Sequence, residues 1–100
     1  MVKCLVVGVC RMELSLDGVF SLKDKRQIVK SIIERLKSRY NASIAEVDLN
    51  DTWKNAIIGV SCVSNDPKHV DSMLNNIVNF VENDGRAILF NYNTEKIYID

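Results

Sequence analysis

From residue 2 to residue 16 the chain alternates. Cys4, Val6, Gly8, Cys10, Met12, Leu14 and Leu16 fall on one side of an extended chain, and Leu5, Val7, Val9, Arg11, Glu13 and Ser15 on the other. Successive side chains of a strand point to opposite faces, so the spacing predicts one long strand. Its first side is apolar throughout. Its second side is apolar only in the first half, which predicts a far sheet face that is partly covered. Leu5, Val7 and Val9, with Ile57 from a later strand, are the candidate contact face for a second copy of the protein.

Asp17-Gly18 makes a turn, and the period then changes from two to 3.6. Ser21 stands three residues before Asp24, a variant of the capping box in which the Ser21 hydroxyl accepts from a first-turn backbone N–H. Leu22, Val29, Ile32, Ile33, Leu36 and Tyr40 share one face at 100° per residue, so the spacing predicts a helix over 21–40 that buries this face.

After the helix, Ala45, Val47 and Leu49 alternate with Ile44, Glu46 and Asp48 in a second extended stretch. Asn50-Asp51-Thr52 and Trp53 lead into Ala56–Ser64, a β-branched run that completes a hairpin. Asp66-Pro67 is a second helix start, with the Asp as cap and the Pro at the first helical position. Val70, Met73, Leu74, Ile77, Val78 and Val81 form its buried face, and Asn83-Asp84-Gly85 ends it. Residues 87–90 and 97–99 read as extended, with a change of phase that predicts a bulge or bend around Asn91–Asn93. The order is βαββαβ. Two helices on one face of an antiparallel sheet give the α+β ferredoxin-like sandwich as the expected fold.

Composition narrows the picture only a little. The 100 residues are 47% hydrophobic and 26% charged with four Gly and one Pro, which fits one globular domain over 1–100. The apolar run from Cys4 to Cys10 is too short for a membrane span and lacks a signal-peptide cleavage site, so no membrane association is expected. Three cysteines without paired spacing point to a reducing, cytoplasmic compartment.

Charge changes the picture more. The 21–40 segment holds seven basic and two acidic residues, against six and eleven in the rest of the chain. The neutral total hides a polarised molecule. Lys23, Arg26, Lys30 and Lys37 fall within an arc of about 60° beside the apolar face. Lys25 lies at the apolar edge, where its stem would cover the core and its ammonium reach water. These five residues are the candidate surface for nucleic acid or another anionic partner, because clustered cations raise the local concentration of anions. The alternative is a solvated helix face.

Glu46, Asp48 and Asp51, beside Trp53, are the candidate ligand or metal residues. Glu46 and Asp48 are two apart on a strand and would share a face, where two carboxylates can hold a hard cation. Charges on an edge strand that discourage strand addition are the simpler account. Trp53 reads as a partly buried anchor. His69 stands alone, Cys62 reads as a small core residue, and Cys4 and Cys10 lie about 20 Å apart along a strand, too far to share a zinc. No glycine-rich phosphate loop, nucleophile elbow or histidine-based motif is present. No catalytic residue, metal or cofactor is assigned. The first and third strands, Val2–Leu16 and Ala56–Ser64, carry no aromatic residue, so RNA contact through bases stacked on the sheet is not expected.

The stretches VGVCRMELSL at 7–16, SLKDKR at 21–26, AEVDLNDTW at 45–53 and AIIGVSCVSND at 56–66 together resemble the YlxP-like bacterial family, domain of unknown function 503. The resemblance covers nearly the whole chain. It implies a ferredoxin-like fold, in agreement with the pattern. Genes of that family often neighbour those of translation initiation and ribosome maturation factors, which implies a translation-linked role and names no reaction. The expected function is a non-catalytic binding factor for ribosomal RNA or a ribosome-associated protein, acting through the basic helix. A homodimeric interaction module and a carboxylate-based site are the alternatives.

Overall fold

The computed structural model describes residues 5–48 and 52–100. Its elements follow the expected order: β1 (Leu5–Ser15), α1 (Leu22–Arg39), β2 (Ser43–Asp48), β3 (Asn55–Ser64), α2 (Pro67–Asn83) and β4 (Ile88–Ile99). The strands form one antiparallel sheet in the order β2-β3-β1-β4. Both helices cover one face of it, the ferredoxin-like arrangement.

Each helix begins where the polar signals put it. The Ser21 hydroxyl accepts from the Asp24 N–H at 3.1 Å, and Asp66 accepts from the Lys68 N–H at 2.9 Å with Pro67 opening the first turn. The φ of +85° at Gly85 lets the chain leave α2 in the left-handed region. Val29, Ile32 and Leu36 from α1 and Val70, Leu74, Ile77, Val78 and Val81 from α2 meet Val6, Cys10, Met12 and Leu14 of β1 in a single core.

The even-numbered side of β1 is the buried one, as the alternation predicts. The strand that pairs with it last is less regular. β4 runs unbroken from Ile88 to Ile99, and the expected phase change is a bulge at Phe90, just before Asn91–Asn93. Glu13 pairs with Asn91 while Leu14 pairs with Leu89, which leaves Phe90 as the extra residue. A second bulge, which the sequence pattern did not announce, lies in β2. Glu46 pairs with Ile58, but Asp48 pairs with Ile57.

Candidate functional site

α1 is held by its apolar face, so its flanks decide what it offers to solvent. Lys23, Arg26, Lys30 and Lys37 are all exposed. They lie along about 21 Å of helix. Arg26, Lys30 and Lys37, with Val29, Ile33, Glu34 and Glu46, line a shallow concavity of about 320 Å³ between α1 and β2. The Lys30 ammonium lies 4.0 Å from Glu34, one turn on, and both side chains are largely exposed, a pair of little energetic weight. The structure therefore keeps four of the five expected cations on one exposed flank.

Lys25 is different. Its expected role as an assisting surface cation is corrected by its burial, at 0% exposure. The side chain passes under the helix, pairs with Glu46 Oε2 at 2.8 Å and donates to the Thr52 carbonyl oxygen. Its position on the helical wheel, at the apolar edge, favoured the core once an acidic partner stood on the neighbouring strand.

That pairing also alters the carboxylate constellation. Glu46 is opposite Ile58, on the helix-covered face, where Lys25 neutralises it. The bulge puts Asp48 opposite Ile57, on the far face, because directly paired residues share a side of the sheet. Glu46 and Asp48 thus do not share a face, contrary to the two-residue spacing. Asp51, like Cys4 and Leu49, lies outside the described residues. Among the described residues no group of three or more His, Cys, Asp or Glu side chains is gathered as a metal site requires.

The far face is apolar in a different outline from the one expected. Leu5, Val7 and Val9 are there and partly or largely exposed. Val7 pairs with Val63 on one side and Ile97 on the other, and Leu5 pairs with Ile99. Val63, Ile97 and Ile99 are half-exposed or more, so they extend the patch. Ile57 does not belong to it. It is only 5% exposed and pairs with Glu13, six residues along β1 from Val7, about 20 Å away.

Three features were not singled out from the sequence. On the opposite flank of α1, Arg35, Arg39 and Tyr40 face Asn76, Asn79, Phe80 and Asn83 of α2 across a hollow of about 430 Å³. The Arg39 guanidinium lies 4.9 Å from the Phe80 ring centre, and Asp84 closes the hollow's end. Arg86 donates to both oxygens of Asp84, at 2.7 and 2.8 Å, and to the Ser31 hydroxyl at 3.0 Å. This clamp holds the Asp84 carboxyl below the usual carboxylate range, its hydrogen bonds to Arg86 outweighing burial. The third feature is Phe20, 82% exposed immediately before the α1 cap. Cys10 and Cys62 are poor nucleophiles: burial pushes the Cys10 thiol up to about 11 and raises that of Cys62 as well.

The model of the family described as "Protein of unknown function (DUF503)" matches residues 7–94. The chain belongs to the DUF503 family. A relative in that range of likeness is the uncharacterized protein YlxP of Bacillus subtilis (strain 168), 29% identical over 77 residues, spanning 77% of this chain and 84% of YlxP. Two solved structures share the fold. The de novo designed protein Foldit4 superposes with a TM-score of 0.53 over 96% of this chain and 97% of its own, at 15% identity. An amidase of the hydantoinase/carbamoylase family from Burkholderia phymatum gives 0.60 over 99% of this chain at 10% identity, with 29% of the amidase chain covered. At such identities these likenesses show the fold alone. Family membership names no reaction, and the site must be argued from its residues.

Proposed function

We propose that the protein is a non-catalytic RNA-binding factor that docks on the phosphate backbone through the exposed flank of α1. One observation carries this reading: Lys23, Arg26, Lys30 and Lys37 stand in solvent along a single flank, while their one basic neighbour on the apolar edge, Lys25, is already neutralised by Glu46. Four cations in a row over about 21 Å match a backbone of evenly spaced negative charges, and phosphate contacts of this kind position a protein without reading sequence. The translation-linked neighbourhood of the resembling family makes ribosomal RNA the first choice of partner, and a cytoplasmic protein is the corresponding expectation.

The test is binding of purified ribosomal RNA over a salt series. Four phosphate contacts give a slope of log affinity against log salt of about −3. Reversing Lys23, Arg26 and Lys30 to Glu should weaken binding at least about a hundredfold. The same variant should shift the melting temperature by no more than about 2 °C, since the three side chains are exposed. Wild-type affinity in that variant, or no binding at low salt, overturns the proposal.

A second reading, self-association through the far sheet face, is favoured by the contiguous exposure of Leu5, Val63, Ile97 and Ile99 around Val7. It is compatible with the first, since the two surfaces lie on different sides of the sheet.

A further inference from the structure

At the N-terminal end of α1 the basic row runs into two exposed aromatic residues. Phe20 occupies the position before the Ser21 cap. In a hydrophobic staple this residue packs on the side chain at the fourth helical position. Here the fourth position is Lys25, whose side chain is committed to Glu46 and the Thr52 carbonyl. Phe20 consequently stands in solvent although Val19, beside it, is buried.

Trp53 is brought to the same end by bonds on both sides of it. Lys25 holds the Thr52 carbonyl, and the Leu16 N–H donates to the Lys54 carbonyl at 2.8 Å. Residues 52–54 are thereby tied both to the second turn of α1 and to the end of β1. Trp53 is 38% exposed, with the Lys54 ammonium 5.4 Å from its ring centre. Lys23 and Arg26 begin the basic row at this same end. Asp24 projects from the other side of the helix, about 100° or more from that row.

Exposed aromatic rings among cations are the two components of a single-strand binding surface. The cations track the backbone, and each ring offers a face to one unpaired base. We propose that Phe20 and Trp53 stack unpaired bases of a single-stranded RNA whose phosphates follow Lys23, Arg26, Lys30 and Lys37. This inference rests on the RNA-binding reading above and sharpens it, because a duplex keeps its bases stacked away from such rings.

Trp53 is the single tryptophan of the chain, so its emission reports on the site directly. The full chain is titrated with a labelled single-stranded oligouridylate and with an RNA duplex of equal charge, reading label anisotropy and tryptophan emission together. The single strand should bind more tightly and quench Trp53. Phe20→Ala and Trp53→Ala should each weaken single-strand binding about tenfold, leave duplex binding and the salt slope unchanged, and Trp53→Phe should restore most of the loss. Unquenched emission in a bound complex, or wild-type affinity in Phe20→Ala, overturns the stacking site while the cation row stands. Failure of both RNAs to bind overturns the stacking site together with the RNA-binding reading on which it rests.

Discussion

A lysine ammonium taken out of water costs several kcal/mol unless it is paired and hydrogen-bonded, and Lys25 meets both conditions through Glu46 and the Thr52 carbonyl. The arrangement fixes more than charge, since it ties α1 to the edge strand and to the connection that carries Trp53. Removing one partner is the costly change. Lys25→Met keeps the packing volume but leaves Glu46, only 14% exposed in its side chain, without the ammonium that pairs with it at 2.8 Å. It should cost about 3 kcal/mol, read as a lower urea midpoint. Adding Glu46→Leu should return at least half of that, whereas Lys23→Met on the solvated flank should change stability by no more than about 0.5 kcal/mol. A Lys25→Met chain as stable as the wild type would mean that the ion pair does not hold the helix. The same residue marks a limit of sequence reading. The wheel places Lys25 at the apolar edge, where an ammonium can reach water or turn inward, and only the partner across the sheet decides between them.

α2 packs closely on β1 at Gly8. A Cβ at Gly8 would lie 2.3 Å from Val70 Cγ1 and 3.1 Å from Leu74 Cδ1, with Cys62 Sγ at 3.2 Å. Gly8→Ala should therefore destabilise by about 1–3 kcal/mol through overpacking. Combining it with Val70→Ala, which removes the nearest obstacle, should cost less than the sum of the two single changes; strict additivity in thermal melting would show that α2 moves aside freely. At the other end of α2 the Asp84–Arg86 clamp gives stability a pH dependence. A carboxyl whose folded pKa is depressed contributes stability in full above its unfolded value of 3.8 and loses it as pH falls through the lower folded value. Melting temperatures of the wild type should drop on acidification below about pH 4 more steeply than those of Asp84→Asn, which starts lower and declines less. Parallel curves would remove the clamp from the account. These elements were largely legible in advance: cap residues, two clear helical faces and the alternation of β1 put every strand and helix in order. The β2 bulge was not, because a single inserted residue leaves SIAEVD looking like regular alternation. Its consequence was the false sharing of a face by Glu46 and Asp48. Phe20 carried a readable signal, an aromatic residue at the staple position with a lysine where its apolar partner belongs.

At the scale of the whole molecule the two sides of the sheet have different business. The helical side presents the cations of α1, and the far side presents a strip of aliphatic side chains across β3, β1 and β4. Val63, Val7 and Ile97 lie in one cross-strand row, with Leu5 and Ile99 in the next. A patch of this kind fits a two-fold contact, in which the same surface serves both copies. Its five aliphatic side chains are few beside the roughly 20–30 residues a side of a stable interface, so the association should be weak, with dissociation at about the micromolar level or above. Sedimentation velocity over two decades of concentration should show a monomer giving way to a dimer, and Val63→Glu, placing a charge at the β3 end of the row beside Val7, should hold the chain monomeric. Because α1 lies on the opposite side, the variant should keep its intrinsic RNA affinity per chain. It should lose only the avidity that two linked basic rows confer on long RNA. A wild-type chain that stays monomeric throughout would assign the strip to solvent and leave α1 as the molecule's working surface. Equal loss of short-RNA binding in Val63→Glu would instead mean that the two sides of the sheet are not independent.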